Sequence, residues 1–374
     1  MKDQREHFLM NRDEKVMLFS SAKNEYGEIL LEELDVFGNP LPLGFEDIQS
    51  FIAHRQAPKH RKHILKLLRQ AECEDLQGFL EVSKALSLND TFWVKSADSQ
   101  LCWREVSLYQ NDFNEVIAQI AFDGGDYKTD FSSTSPEYGT DGFYAKCWIR
   151  RGNEIYLLKT GSDSYEIEPF SDFYASQLAE ILCPDAVNYE IGEWHGRIVS
   201  CCPLFTSESK GYVPAIRLLD ERKHNKVAYL MEYFSRIGLE DEFRRMIVLD
   251  ALIVNEDRHA GNYGFMVDNR TQEILGMAPM FDHNRSLLYG LKSPEKVSEY
   301  LKQQIPRIGM DFNVTAHSLL TPRLRQDLLN LKGFHFRQDG EFDLPKERIT
   351  MLEQVVNRQI DNILSGTSLY HYRA

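Results

Sequence analysis

Apolar positions recur along the chain with two different periods. Over the first 90 residues, short apolar runs such as "KVMLF" and "EILLEEL" alternate with turn signals such as "FGNPLPLG". The basic stretch "APKHRKHILKLLRQ" then repeats its apolar residues at helical spacing. We interpret this stretch as a helix with a solvated basic face, with a nucleic-acid-binding patch as the alternative.

Residues 125–215 have mostly the period of strands. Two β-rich runs joined by a short turn predict a hairpin, and two further strand candidates follow an amphipathic helical segment that ends at Pro184. In chain order these five segments are "GFYAKCWIR", "EIYLLKT", "EPFSDFYASQLAEILCP", "AVNYEIGEW" and "GRIVSCCPLF".

From about residue 216 onward the pattern is mainly helical, with "EDEFRRMIVLDALIV" and "LPKERITMLEQVVNRQIDNIL" the clearest cases. Strands followed by helices predict an α+β fold of two lobes, β-rich at the N-terminus and mainly helical at the C-terminus. A cleft between two lobes is the expected place for a site. The predicted regions are an accessory region 1–90, an N-terminal lobe 91–205 and a helical C-terminal lobe 206–374.

Composition narrows the classes of protein. The chain has 374 residues, 43% of them hydrophobic, which suffices for a sizeable core. The net charge of −14 has the wrong sign for attraction to nucleic acid or anionic lipid. The six cysteines lack zinc-site spacing, and Cys201 and Cys202 are expected to pack on a strand. With a charged N-terminus and no apolar run of roughly 18 residues, we predict a cytoplasmic protein without nucleic-acid or membrane partners.

The stretch "NEDRHAGNYGF" ends an apolar run and carries the strongest chemical signal. Asp257 and Asn262 lie five positions apart, and Asp282 follows a hairpin-like segment, as in a phosphoryl-transfer loop. Mg²⁺ prefers a few oxygen ligands beside substrate phosphates, while a separate carboxylate takes the proton of the acceptor hydroxyl. The pattern therefore predicts Asp257 as the base and Asn262 and Asp282 as metal ligands. Simple termination of a helix by an Asx turn is the alternative.

Neighbouring polar residues of this loop have open roles. His259 either braces the loop, through a backbone carbonyl or Asp282, or packs as a satisfied histidine, and we favour bracing because Asp257 already fills the role of base. Arg258 and Arg285 either neutralise transferred phosphate or pair with surface acids.

The N-terminal half contains candidate nucleotide-binding residues. The turn "STSPEYGTDGFYAK" is rich in hydroxyls and contains Gly142, which suits a backbone that folds over phosphates. Lys159 ends the apolar run "IYLL", like the strand lysine that binds ATP phosphates, although a solvated strand end is the alternative. The acids that could pair with Lys159 are Glu168, Asp172 and Glu180.

In this order, these residues resemble the HipA-like bacterial serine/threonine protein kinases. The resemblance covers roughly residues 85–370 and implies a kinase-like two-lobed fold that binds ATP and Mg²⁺. It rests on the segments "LSLNDTFWVK", "YGTDGFYAKCW", "YLLKTG", "VNEDRHAGNYGF" and "PMFDHN".

The resemblance also assigns roles. It implies autophosphorylation of a loop hydroxyl at Ser133, Ser135 or Thr140, with Thr140 favoured. It further implies a protein substrate and an antitoxin or regulatory partner. The implied site residues are Asp257 (catalytic), His259 (loop histidine), Asn262 and Asp282 (magnesium), Lys159 and Lys146 (ATP phosphates), and Cys202 to Phe205 (hinge to adenine).

Three functional hypotheses follow from the sequence. The first is an ATP- and Mg²⁺-dependent kinase that phosphorylates Ser/Thr hydroxyls on protein, including itself. The second is a lipid or small-molecule kinase with the same loop, since a similar D-R-H-x-x-N loop occurs in phosphoinositide kinases. The third is a nucleotide-binding pseudokinase or interaction module.

Overall fold

The structure is a computed structural model that describes residues 4–131, 134–163 and 166–371, and it has an α+β fold. The chain divides into two units, each built from three separate segments. Residues 1–90, predicted as an accessory region, lie in the same unit as residues 91–159; the functional division at residues 90 and 205 stays a prediction. The first unit contains 1–159, 204–213 and 266–275, and the second contains 160–203, 214–265 and 276–374.

An antiparallel sheet of four strands begins the first unit. Its strand order is β3-β2-β1-β4, so β3 and β4 are its edges. Apolar residues of its strands, such as Leu9, Val16 and Phe19, are fully buried and form the core of this unit with the helices that follow. The strands are β1 (Arg5–Asn11), β2 (Glu14–Lys23), β3 (Ile29–Val36) and β4 (Phe92–Ser96).

Five short helices accompany this sheet. Asp47, Asp75 and Asn114 cap three of them by accepting backbone N–H bonds of the first turn. Only the second half of the predicted basic helix is helical, and Arg61, just before it, is 2% exposed. The prediction of a solvated basic face is therefore wrong for Arg61. The helices are α1 (Ile48–Ala53), α2 (Ile64–Gln70), α3 (Leu76–Ser83), α4 (Trp103–Val106) and α5 (Glu115–Asp123).

The predicted hairpin of the middle region is present, and the two further predicted strands also pair with each other. In the first unit, β5 (Lys146–Arg151) pairs antiparallel with β6 (Glu154–Thr160), and the register places Lys146 opposite Lys159. In the second unit, β7 (Glu190–Trp194) pairs antiparallel with β8 (Arg197–Pro203). The helix predicted between the hairpins is also confirmed, as α6 (Glu168–Leu182).

The last strands form a sheet with the order β11-β10-β9, and they include the predicted hairpin after the candidate loop. These strands are β9 (Lys210–Pro214), β10 (Gly264–Asp268) and β11 (Ile274–Met277).

Helices are the main regular elements of the second unit. The apolar run before the candidate loop is α8, whose residues Phe243 and Arg245 to Ile253 are all buried. None of the helices in the described part of the chain combines the length and apolarity needed to span a membrane. The helices are α7 (Val227–Arg236), α8 (Glu240–Ile253), α9 (Val297–Lys302), α10 (Phe312–Ser318), α11 (Pro322–Asn330) and α12 (Lys346–Ser365).

Candidate active site

The buried helix α8 supports the candidate catalytic loop. The chain leaves the helix at Val254, which has a left-handed backbone with φ of 51°. Asn255 then bonds back to the helix, because its backbone N–H donates to the Asp250 carbonyl at 2.9 Å and its Nδ2 donates to Asp250 Oδ1 at 3.0 Å. The Asn255 Oδ1 accepts the N–H of Asp257 at 3.1 Å. Asn255 thus fixes the start of the loop to a rigid element.

Asp257 and Asn262 lie at the two ends of a tight turn. The Asn262 Nδ2 donates to the Asp257 carbonyl at 3.0 Å, and its N–H donates to the His259 carbonyl at 2.8 Å. The Asp257 side chain is 19% exposed and faces two guanidinium groups, with Arg307 Nη2 at 3.1 Å and Arg285 Nη1 at 3.5 Å. Arg285 therefore pairs with an acid of the site itself.

Arg258 is the buried centre of this region, with 2% exposure. Its Nε and Nη2 contact the carboxylate of Asp250 at 3.1 to 3.2 Å, and its Nη2 also lies 3.2 Å from His283 Nδ1. Its Nη1 donates to the carbonyls of Asn262 at 2.8 Å and Phe281 at 2.7 Å. Burial raises the pKa of Asp250, and the Arg258 charge opposes this rise. Arg258 thus joins the loop to the segment before Asp282, a role that neither sequence interpretation foresaw.

Asp282 has a left-handed backbone with φ of 59°, a conformation that non-glycine residues adopt rarely. Hydrogen bonds on either side hold it there. Its N–H donates to the Tyr189 hydroxyl at 3.0 Å, and the N–H of His283 donates to Asp172 Oδ1 at 2.8 Å. Asp172 is fully buried, and its Oδ2 accepts from the Ser200 hydroxyl at 2.9 Å. Asp172, proposed from the sequence only as a lysine partner, thus anchors the Asp282 segment.

The oxygen atoms in this region suit a hard cation. The bond from Asn262 Nδ2 to the Asp257 carbonyl orients the amide, whose oxygen is an acceptor. Asp282 adds a carboxylate. No three His, Cys, Asp or Glu side chains cluster as metal ligands in the part of the chain described by the structure. Mg²⁺ fits this ligand set because proteins commonly bind it through one or two side chains, with water and phosphates completing its shell.

His259 is exposed, and its Nδ1 accepts the N–H of Gly261 at 3.1 Å. The acceptor role of Nδ1 places the ring proton on Nε2 when the imidazole is neutral. This contact lies within the loop and involves a backbone N–H group, whereas the sequence interpretation favoured a bond to a backbone carbonyl or to Asp282; the bracing role stays a prediction.

Two hydroxyl groups of the candidate phosphate-binding loop, those of Ser135 and Thr140, form hydrogen bonds with residues nearby in the chain. Ser135 is 3% exposed, and its Oγ accepts a backbone N–H two residues on at 3.3 Å. The Thr140 hydroxyl donates to the Pro136 carbonyl at 2.7 Å and accepts from Trp148 Nε1 at 2.8 Å. Ser133, the third candidate for autophosphorylation, lies outside the described residues.

Gly142, Lys146 and Lys159 lie together in the first unit. Gly142 has φ of 108°, and a Cβ atom there would lie 1.9 Å from Lys146 Nζ, so glycine allows the ammonium group to approach the loop. Lys146 and Lys159 are directly opposite across β5 and β6, so both side chains lie on one face of the hairpin. Lys159 is 5% exposed, which excludes the solvated strand end.

Sequence reasoning missed a buried ion pair under the same loop. Arg61 Nη2 donates to Glu137 Oε2 at 2.7 Å, and both side chains are at most 1% exposed. Arg61 also donates to the backbone carbonyls of Glu137, Thr140 and Lys146. Burial raises the pKa of Glu137, while Arg61 and the N–H of Trp148 oppose this rise. The available signal was a single acid inside an otherwise hydroxyl-rich turn.

The predicted hinge lies where the chain passes from the second unit to the first, between Pro203 and Leu204. Cys202 is buried on β8. The ring of Phe205 packs edge-on against Tyr212, with the ring centroids 5.6 Å apart.

Comparison with known proteins begins with the sequence. No protein-family model matches the chain. A curated relative, the serine/threonine-protein kinase CtkA of Helicobacter pylori strain J99, is 27% identical over 173 residues. The match covers 41% of this chain and 53% of that protein, so the chain spans about half the length of the relative.

Solved structures extend the comparison to the fold. HipA of Shewanella oneidensis MR-1, solved in a toxin–antitoxin complex with HipB and operator DNA, aligns with 98% of this chain and 100% of its own, with a TM-score of 0.56 and 12% identity. The predicted HipA-like kinase fold is confirmed. Because it covers 98% of the chain, this likeness extends into the region before residue 85, which the sequence resemblance left out. A crystal structure of the Helicobacter pylori proinflammatory kinase CtkA aligns with 62% of this chain and 91% of its own, at 19% identity and a TM-score of 0.45.

Proposed function

We propose that this HipA-like protein is a kinase that transfers the γ-phosphoryl group of ATP, with Mg²⁺, to Ser/Thr hydroxyls on protein, including its own. One observation carries this proposal. The buried guanidinium of Arg258 bonds the carbonyls of Asn262 and Phe281, the residue before Asp282. The proposed base and both proposed metal ligands are therefore supported by one rigid framework, as electrostatic catalysis requires.

Each residue of the loop has a distinct proposed role. Asp257 orients the acceptor hydroxyl and accepts its proton. Arg285 and Arg307, which contact the Asp257 carboxylate, are near enough to that position to interact with an incoming anionic group. Asn262 and Asp282 hold Mg²⁺, which neutralises charge on the ATP phosphates when bound.

The first unit supplies the proposed phosphate-binding groups. Lys146 and Lys159 place two positive charges on one face of the hairpin. A polyphosphate beside both lysines would be attracted by these charges. Gly142 lets the Lys146 ammonium group lie against the loop, and Cys202 to Phe205 are the proposed contact with adenine.

Thr140 is the proposed site of autophosphorylation. Its hydroxyl is bonded on both sides inside the loop, so phosphorylation requires the loop to open. A phosphate group adds about two negative charges, which would disfavour return of the loop beside ATP phosphates. Because HipA was solved with HipB, we also propose a regulatory protein partner for this chain.

The test is incorporation of radioactive phosphate from ATP and Mg²⁺ by the full-length protein. Asp257→Asn and Asp282→Asn should each lower the initial rate by about a hundredfold or more, because both groups act mainly in the transition state. Asp361→Asn is the matched control, since this carboxylate is 56% exposed on α12 and pairs with Lys332. Undiminished labelling in both loop variants would refute the proposal.

The destination of the label separates the alternatives. We expect phosphate on the protein itself, located by mass spectrometry, and on proteins of a cell extract. Label on inositol lipids alone would favour the lipid kinase. Thermal stabilisation by ATP and Mg²⁺ without any product would favour the pseudokinase.

A further inference from the structure

A short segment of the N-terminal region, residues 57–62, lies against the candidate phosphate-binding loop in the first unit. Backbone hydrogen bonds join the two at both ends: Ala57 N–H donates to the Tyr138 carbonyl at 2.9 Å, and Lys62 N–H donates to the Phe143 carbonyl at 3.0 Å. The His60 ring also stacks on Phe143, with centroids 6.2 Å apart. We name residues 57–62 the loop clamp.

Arg61 is the central residue of the loop clamp. Its Nη1 donates to the carbonyls of Glu137 at 2.7 Å and Thr140 at 3.2 Å, and its Nη2 donates to the Lys146 carbonyl at 2.8 Å and to the Glu137 carboxylate. One planar guanidinium group thus fixes three carbonyls spread over ten positions of the loop. Lysine cannot replace it, because an ammonium group has three donors at a single point.

These bonds determine where the loop directs its N–H groups. The C=O and N–H of one trans peptide point in opposite directions. The bond from Arg61 to the Thr140 carbonyl therefore turns the N–H of Asp141 away from Arg61. Backbone N–H groups are the donors with which such loops bind phosphate.

We propose that Arg61 is a positioning residue for ATP: it holds the loop in the shape that binds phosphate, without itself touching the nucleotide. This inference rests on the proposed kinase function. It makes residues 57–62 part of the nucleotide site and not of a separate accessory module.

The test compares two pairs of substitutions in the full-length protein. Arg61→Met with Glu137→Gln removes both charges of the buried Arg61–Glu137 pair and keeps an acceptor for Trp148 N–H. Arg55→Met with Asp90→Asn is the matched control, since this pair is also largely buried, and Asp90 likewise accepts a backbone N–H. Within the described part of the loop, no residue forms a hydrogen bond with the side chains of the control pair.

Two readouts are measured: the KM and kcat for ATP, and hydrogen exchange of peptides covering residues 137–147. For the clamp variant we expect circular dichroism like that of the wild type, a KM raised by about tenfold or more with a smaller change in kcat, and faster exchange confined to the loop. The control should match the wild type in KM and in loop exchange. Arg61→Lys should also keep a raised KM, and it replaces the double variant if that protein does not fold.

A KM and a loop exchange rate equal to those of the control would overturn the inference. Failure of the proposed function is a different result: the wild type itself would then show no ATP turnover. In that case the role of Arg61 toward ATP is also refuted. The hydrogen exchange of the loop peptides then shows whether the clamp holds the loop.

Discussion

Replacement of Arg258 by methionine tests the framework of the candidate loop. The substitution removes the positive charge beside Asp250 and both donors to the carbonyls of Asn262 and Phe281. Arg258 is 2% exposed and the Asp250 side chain is 7% exposed, so bulk water replaces the lost partner poorly. Breaking a buried ion pair on one side typically lowers the free energy of unfolding by about 3–5 kcal/mol. We expect a loss in this range, a large fraction of the total stability of a domain.

The loss should depend on pH. In the variant, burial still raises the Asp250 pKa, but the arginine that opposed this rise is gone. A carboxyl whose pKa is higher in the folded state binds more protons there than when unfolded. Stability therefore decreases as pH rises from the pKa of the unfolded state to that of the folded state. The penalty of Arg258→Met should therefore be smaller at about pH 5.5 than at about pH 7.5.

The assay is urea unfolding followed by circular dichroism at both pH values. Lys332→Met is the control, since the exposed pair of Lys332 with Asp361 should contribute no more than about 1 kcal/mol. The double variant Arg258→Met with Asp250→Asn should lose about 1–3 kcal/mol less than the sum of the single variants. A loss below about 1 kcal/mol, or one equal at both pH values, would refute this account of the pair.

Three further predictions concern packing, hydrogen bonding and thiol reactivity. Leu249→Ala, in the buried face of α8, should lower the free energy of unfolding by about 2–5 kcal/mol in thermal melts, and a loss under about 1 kcal/mol would contradict the packing. Tyr300→Phe removes the 2.7 Å bond to Glu256 and should lower the free energy of unfolding by about 1–3 kcal/mol in urea unfolding. No change would mean that water replaces the hydroxyl. A thiol reagent at about pH 8 should modify the exposed Cys102 quickly, whereas Cys183, whose pKa burial raises to about 12, should react only after unfolding; equal rates would argue against its burial.

Local sequence patterns predicted the elements well where one segment determines its own structure. The runs that became α6, α8 and α12 carry a helical period of apolar residues, and the hairpin of β5 and β6 carries two β-rich runs joined by a turn. The order of Asp257, Asn262 and Asp282 predicts a phosphoryl-transfer site from the sequence alone, and their roles stay a prediction.

Whether a charged side chain is buried or exposed was harder to predict, because burial of a charge depends on a partner that the fold brings near. Arg61 belongs to a basic stretch typical of a solvated surface, yet its acid, Glu137, lies 76 positions away. Arg258 is surrounded by polar residues in the sequence, and its buried acid lies within the apolar face of α8. Sequence periodicity predicts neither of these two ion pairs, since both depend on tertiary packing.

The division of each unit into separate chain segments has a consequence for synthesis of the protein. The first unit includes residues 266–275, and the second ends at the C-terminus. During translation, the first unit cannot complete its folding until about three quarters of the chain has emerged, and its apolar surfaces stay exposed to other chains in the meantime. A fragment that ends at residue 159 lacks β9 and β10 and should aggregate, so studies of nucleotide binding require the whole chain.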